Sequence, residues 1–317
     1  MLRASWLRAS LFRASSPAVF LLTLVALVLS AGTVVANAEP LPEKYDELVG
    51  VLQELSSPGG SLPGSNDFGC RPTAEHPRPV VLVHGTTGGA QITWGAFVPM
   101  LKNAGYCVFA LTYGAIPGPW PISAVGGMRP IEGSAQEIGA FVDRVLAATG
   151  ASTVDIVGHS QGTIATGYYA KVLGGHSKIT NDVSLAPLWL GTKALGAEKL
   201  PGLFDRFGLP DTAFPICQAC GQFAAGAKLV DKVNAGGTPY VEGIRYTNIG
   251  TRYDEQVVPF TQGMLPGLPG DDVTNIVVQD GCEKDDSDHT ALTDSKRAGY
   301  LVLNALDPAH PREVPCA

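Results

Sequence analysis

A serine hydroxyl is a weak nucleophile at neutral pH; it attacks a carbonyl only when a base takes its proton and an acid holds that base. Gly158-His-Ser160-Gln-Gly162 fits G-x-S-x-G, the pattern of a sharp strand-to-helix turn that lifts a serine above a sheet edge. With 38 Gly in 317 residues, chance supplies about a quarter of such a match, so the pattern counts only in context. Here an apolar run, Val154 to Val157, precedes it and a helical pattern from Gly162 follows. Gly158 and Gly162 are expected because a Cβ at either place would crowd the turn. Ser160 is the expected nucleophile, and an ordinary Gly-rich turn is the alternative.

In this arrangement the partners follow in the order Ser, Asp or Glu, His. Three histidines lie downstream of Ser160. His176 closes the helix that Ser160 opens, and His310 sits between Pro308 and Pro311 near the C-terminus, so both read as surface residues. His289 follows the last predicted strand, where a base is expected. For the acid, Asp254 follows the preceding strand in Gly250-Thr-Arg-Tyr-Asp-Glu-Gln, with its neighbour Glu255 as competitor. The cluster Asp280, Asp285, Asp286 and Asp288 reads as a solvated face, and it lacks the spacing and glycine of a calcium loop. The oxyanion formed on attack needs backbone N–H donors: one from Gln161, the other from the loop His84-Gly-Thr-Thr87, where Thr86 is preferred to Thr87 and its hydroxyl is a possible third donor. His84 itself reads as structural.

These residues need a scaffold. Pro79 to His84 is a fully apolar run of strand length, the mark of a buried parallel strand. A helix over Ile92 to Asn103 and a strand over Tyr106 to Leu111 follow, then a turn-rich stretch from Tyr113 to Pro130. Ser134-Ala-Gln-Glu137 reads as a capping box, and Ile138, Phe141, Val142, Val145 and Leu146 keep the helical period up to a stop at Gly150. Strands are expected over Val154–Val157, Ile179–Leu185, Glu242–Ile249 and Val273–Val278, with helices from Gly162 to Leu173 and from about Asp294 to Leu306. Alternating strands and helices argue for an α/β fold with a parallel sheet in one domain. From Leu188 to Tyr240 periodicity is lost, which predicts either a cap over a pocket or a poorly ordered loop. Trp120, Trp189, Leu190, Leu203 and Phe204 are candidates for an acyl pocket, with ordinary core as the competing reading.

The chain is 45% hydrophobic and 16% charged, which excludes a disordered polyampholyte; its 24 Pro and 38 Gly show no collagen period. Residues 1–38 read as a secretory signal: Arg3, Arg8 and Arg13, an uncharged run centred on Phe20 to Leu29, and the small-residue site Ala36-Asn37-Ala38. An uncleaved anchor is the rival reading, and cleavage would leave no stable transmembrane segment. Without those three Arg the net charge of −7 becomes −10, which disfavours nucleic acid as a partner. Six cysteines in the remainder predict three disulfides in an oxidising, extracellular compartment. Pairing of near neighbours joins Cys70 with Cys107, Cys217 with Cys220, and Cys282 with Cys316. A zinc or redox role for Cys217-Gln-Ala-Cys220 lacks a second ligand pair. Residues 39–69 form a lead-in of no assigned role before a domain at 70–317, with 188–240 as its cap or lid insertion.

The His84-Gly-Thr-Thr loop, Gly-His-Ser160-Gln-Gly, Thr-Arg-Tyr-Asp254 and Asp-His289, taken in order, resemble the secreted triacylglycerol lipases of the α/β-hydrolase superfamily, especially the actinobacterial branch. The resemblance runs from about Cys70 to Cys316. It implies an α/β-hydrolase fold and hydrolysis of carboxylic esters, acylglycerols or other fatty-acid esters, through an acyl-enzyme. Ser160 would be nucleophile, His289 base then acid, and Asp254 its orienting partner, with no metal or organic cofactor. A polyester or cutin hydrolase and a cell-envelope acyltransferase would keep the same triad. A secreted relative that only binds would lack reactivity toward a fluorophosphonate.

Overall fold

The computed structural model describes residues 39–316; the expected signal segment, residues 1–38, lies outside them. Six strands form one sheet: β1 (Val80–Val83), β2 (Val108–Leu111), β3 (Val154–His159), β4 (Ile179–Leu185), β5 (Arg245–Gly250) and β6 (Asp272–Val277). Every neighbouring pair is parallel, in the order β2-β1-β3-β4-β5-β6. β1 and β2 are buried along their whole length, as their unbroken apolar sequences require of strands covered on both faces. The helices are α1 (Leu48–Ser56), α2 (Phe97–Asn103), α3 (Ile131–Thr149), α4 (Gln161–Gly167), α5 (Leu200–Phe207), α6 (Lys228–Val233) and α7 (Lys296–Leu306). The chain reverses from one side of β1 to the other between β2 and β3, so the C-terminal ends of β1 and β3 face a common crevice. That is the place where parallel α/β sheets hold ligands.

Several elements differ from the sequence reading. α3 starts at Ile131, not at a box on Ser134. Pro130 precedes it with extended ψ, and Ser134 lies inside the first turn, its hydroxyl donating back to Pro130 O at 3.2 Å. Glu137 is drawn off to accept the Gly114 N–H at 2.9 Å. Burial of Ile131 extends the apolar face one turn further than the box suggested. α2 starts only at Phe97, because Gly88 to Gly95 makes a run of turns whose glycines are packed against backbone. The helix after Ser160 widens into a π turn, Tyr168–Val172, before Gly174 stops it at φ +74°. Gly150 ends α3 in the left-handed conformation, as its position predicts.

The segment 188–240 divides in two. Its ends are core: Trp189 is fully buried, donates its indole N–H to Asn248 at 2.8 Å and meets Tyr240 and Tyr246 edge-on. Leu229, Val230 and Val233 of α6 are buried as well. Only the middle stands out, with Leu195, Leu203, Phe207, Leu209 and Ile216 exposed. Three disulfides tie the described chain, Cys70–Cys107, Cys217–Cys220 and Cys282–Cys316. Among the described residues no helix is long and apolar enough to cross a membrane.

Candidate active site

β3 delivers Ser160 at its end, and the turn is strained: Ser160 has φ 52° and ψ −123°, a region that a residue bearing a side chain holds only when its surroundings force it. The forcing contact lies at Gly162, where a Cβ would meet Val83 O at 2.3 Å and His84 O at 2.6 Å. α4 therefore sits directly on the end of β1. At Gly158 a Cβ would be 3.3 Å from Thr163 N, so crowding there is mild and the two glycines are not equivalent.

His289 comes to Ser160 across 129 residues: Nε2 lies 2.9 Å from Ser160 Oγ, and Nδ1 lies 2.9 Å from Asp254 Oδ1. The imidazole and the Asp254 carboxylate are both almost wholly buried, at 2% and 1% exposure, so their contact is little screened by solvent. Asp254 Oδ1 also accepts the N–H groups of Gln256 and Val257 at 2.9 and 2.7 Å, which fixes the carboxylate on the loop after β5. Glu255, the competitor, accepts the backbone N–H of His289 at 3.3 Å and leaves the ring to Asp254. His176 and His310 are exposed, and His310 pairs with Asp307.

Two residues missed in the sequence hold His289 and its loop. His159 is buried, stacks obliquely 4.8 Å from the His289 ring and bonds through Nε2 to His289 O at 3.0 Å. Burial, and then the neighbouring His289, push its pKa down to about 3, so it stays neutral with the proton on the nitrogen facing that carbonyl. Gln279 joins the two loops: its amide donates to Thr251 Oγ1 and Asp285 O and accepts from Arg252 N. G-x-S-x-G leaves the residue before the serine open, and a glutamine after a strand has no signature, so neither was legible. The acidic cluster is not uniformly solvated either. Asp285 is buried; Asp280, Asp286 and Asp288 are exposed, and Asp288 caps the turn after His289 by accepting from Thr290 N and Ala291 N. Among the described residues no cluster suited to a metal ion occurs.

Opposite His289 lies the loop after β1. Thr87 spends its N–H on Gly126 O at 2.9 Å, whereas the N–H of Thr86 makes no hydrogen bond among the described residues. Gln161 opens α4, so its N–H has no intrahelical acceptor. The Thr86 hydroxyl donates to Gln161 Oε1 at 2.6 Å, tying the two positions together instead of standing free as a third donor. His84 is structural: it is fully buried, stacks on Tyr113 at 4.2 Å, and contacts Gly85 O through Nδ1 at 2.7 Å. Burial pushes it down to about 4.

An apolar cavity of about 750 Å³ lies within the segment 188–240; Leu195, Leu200, Phe214 and Phe223 line it, and it reaches Glu255 and Gln256. The sequence candidates for an acyl pocket are elsewhere. Trp189 is core, Phe204 packs on Phe214, Leu190 and Leu203 are exposed, and Trp120 borders a separate cavity with Glu54 and Arg144.

The family model described as Lipase (class 2) matches residues 77–298. The chain belongs to the class 2 lipases. Lipase B of Aspergillus fumigatus is 19% identical with a TM-score of 0.59, covering 80% of this chain and 57% of its own, so this chain spans little more than half of that protein's length. A Paleococcus ferrophilus monoacylglycerol lipase is 17% identical, with a TM-score of 0.51 over 72% of this chain and 95% of its own. The mature form of a Bacillus licheniformis lipase is 13% identical, with a TM-score of 0.50 over 75% and 94%. At these identities the likeness is one of fold, and the fold of this class 2 lipase is that of an α/β-hydrolase.

Proposed function

We propose that this class 2 lipase is a secreted serine ester hydrolase acting on acylglycerols or other fatty-acid esters, with Ser160, His289 and Asp254 as its catalytic triad. The observation that carries the reading is the unbroken hydrogen-bonded line from Ser160 Oγ through His289 to Asp254, each step 2.9 Å. In the first step Ser160 Oγ attacks the ester carbonyl carbon while His289 Nε2 takes its proton. The carbonyl oxygen becomes an oxyanion facing the backbone N–H groups of Thr86 and Gln161. Asp254 holds Nδ1–H and stabilises the imidazolium without taking its proton. Collapse breaks the ester C–O bond, and the departing alkoxide takes the proton from Nε2. Water then repeats the sequence on the acyl-serine, releasing the acid.

The apolar cavity that the segment 188–240 forms beside Glu255 suits an acyl chain, because alkyl burial supplies binding while the polar groups stay at the carbonyl. Three disulfides together with the basic, apolar and small-residue order of residues 1–38 support export and cleavage after Ala38. The test is hydrolysis of a chain-length series of esters, with Ser160→Ala as control and fluorophosphonate labelling of Ser160 as an independent readout. Ser160→Ala should lower kcat by several orders of magnitude, leaving roughly 10³- to 10⁴-fold over water. Near-normal turnover in that variant, or no labelling of the unaltered protein, overturns the assignment.

A further inference from the structure

Between the oxyanion loop and the loop that bears His289 lies a third cavity, of about 310 Å³. One side is Gly85 and Thr86; the other is His159 and Thr290, the first bonded to His289 and the second following it. The outer wall comes from far away in sequence: Glu47, Leu48 and Val51, at the start of α1. Those residues precede position 77, where the match to the lipase family begins, so this wall is an addition to the family core.

α1 is seated there by specific contacts. A Cβ on Gly50 would meet Gln91 O at 2.3 Å, and one on Gly95 would meet Gly50 N at 2.6 Å, so helix and turn touch backbone to backbone. One turn on, Glu54 is buried and accepts from Gln91 Nε2 at 2.6 Å, Gly59 N at 2.8 Å and Trp120 Nε1 at 3.0 Å. Helix propensity asks for none of this, since a mid-helix glycine and a buried carboxylate are both costly.

Resting on the triad assigned above, we propose that this cavity is the leaving-group subsite and that α1 makes it select neutral, hydroxyl-bearing alcohols and reject anionic ones. The geometry follows from the reaction. The carbonyl oxygen faces Thr86 and Gln161, and the departing oxygen must reach His289 Nε2; a space bordered by both loops receives the group attached to that oxygen. The selection follows from the lining. Asp294 and Glu47 both line the cavity, and the Asp294 carboxyl meets only the Thr293 hydroxyl, at 3.4 Å, among the described residues. Lys296, two residues on, is held over the rings of Tyr45 and Tyr300 and forms no ion pair among the described residues. Burial, then Glu47 and Asp46, push Asp294 up to about 7. Neither carboxyl has a counter-ion among the described residues: both accept hydroxyl hydrogen bonds, and Glu47, joined by Asp294 as it ionises above about pH 7, repels a phosphate-bearing alcohol.

The test compares kcat/KM of the full, disulfide-intact protein on three octanoyl esters: of methanol, of glycerol and of glycerol phosphate. The glycerol ester should exceed the glycerol phosphate ester by about 100-fold, and the double variant Glu47→Gln/Asp294→Asn should cut that ratio at least about tenfold. Val51→Trp, which fills the cavity, should lower the glycerol-to-methanol ratio by about tenfold; Leu48→Ala, which widens it, should raise that ratio. Ratios unmoved by these variants, in protein whose Ser160 still labels with fluorophosphonate, overturn the subsite and leave the triad standing. An unaltered protein that fails to label overturns the triad instead.

Discussion

At the scale of single residues, burial of charge divides into paid and unpaid cases, and Asp182 is the unpaid one. Asp155, on the neighbouring strand β3, is as deeply buried but has Arg78 Nε at 2.7 Å and Asn181 beside it. Asp182 has one hydroxyl, from Ser184 at 2.8 Å, and its second carboxyl oxygen has no partner among the described residues. Burial lifts its pKa from 3.8 to about 7, Ser184 opposing weakly. The sign of the linkage is definite. Below about pH 4 folded and unfolded carboxyls are both protonated and the group costs nothing. From there to about pH 7 the unfolded chain ionises while the folded one does not, so stability is progressively lost; above that the full penalty is present. Replacement Asp182→Asn removes it. Urea unfolding of both proteins should show the variant's advantage growing by roughly 2–4 kcal/mol between pH 4 and pH 8. A constant difference across that range would show that Asp182 is not the buried acid described. No sequence pattern marks Asp182, since one aspartate in a strand reads as an edge or a turn. That Ser160, Asp254 and His289 come together, by contrast, was legible because they follow β3, β5 and β6 in a fixed order.

At the scale of elements, periodicity found the six strands and α2, α3, α4 and α7 but misjudged where several begin, and it missed α1, α5 and α6. A capping box is a local code, and α3 overrules it because Ile131 gains more from burial than Ser134 would from capping. α7 obeys the code: Ser295 has extended backbone and its Oγ accepts the Ala298 N–H at 3.2 Å. The two serines therefore predict opposite outcomes. Ser295→Ala should cost about 0.5–2 kcal/mol of stability, the usual range for loss of an N-cap. Ser134→Ala loses only a hydroxyl bonded back to Pro130 O inside its own turn, and should cost less than about 0.5 kcal/mol. Thermal unfolding of the two variants decides it, and equal losses would mean that Ser134 acts as a cap after all. α1 was illegible for a related reason. Its exposed face carries Leu48, Val51, Leu52 and Leu55 while Gly50 and Glu54 face the protein, so its hydrophobic stripe points away from the core. A reading that places apolar residues inside cannot find a helix that is oriented by two glycines and a buried carboxylate.

At the scale of the whole molecule, the loop with His289 is joined to the C-terminus twice. Cys282 bonds Cys316, and Arg297 of α7, buried, donates to Val278 O, Asp280 O and Pro315 O at 2.6, 2.6 and 3.0 Å. The last residues of the described chain thus brace the loop of His289, while His159 and Glu255 hold its backbone. Cys70–Cys107 closes a span of 37 residues and Cys282–Cys316 one of 34, so loop closure alone assigns each about 4 kcal/mol. Their effects on turnover should nevertheless part. Cys70 and Cys107 border β1 and β2 at the ends remote from Ser160, whereas Cys282 lies seven residues before His289 in the same loop. Cys70→Ser/Cys107→Ser and Cys282→Ser/Cys316→Ser should unfold at similarly lowered temperatures, and only the second should lose kcat when assayed well below its unfolding midpoint. A tenfold fall fits a base misplaced by under an ångström, since a displacement of about 1 Å costs on the order of 10²-fold. Equal kcat in the two double variants would show that Arg297 suffices as the brace; in that case Arg297→Met in the second variant should bring out the loss.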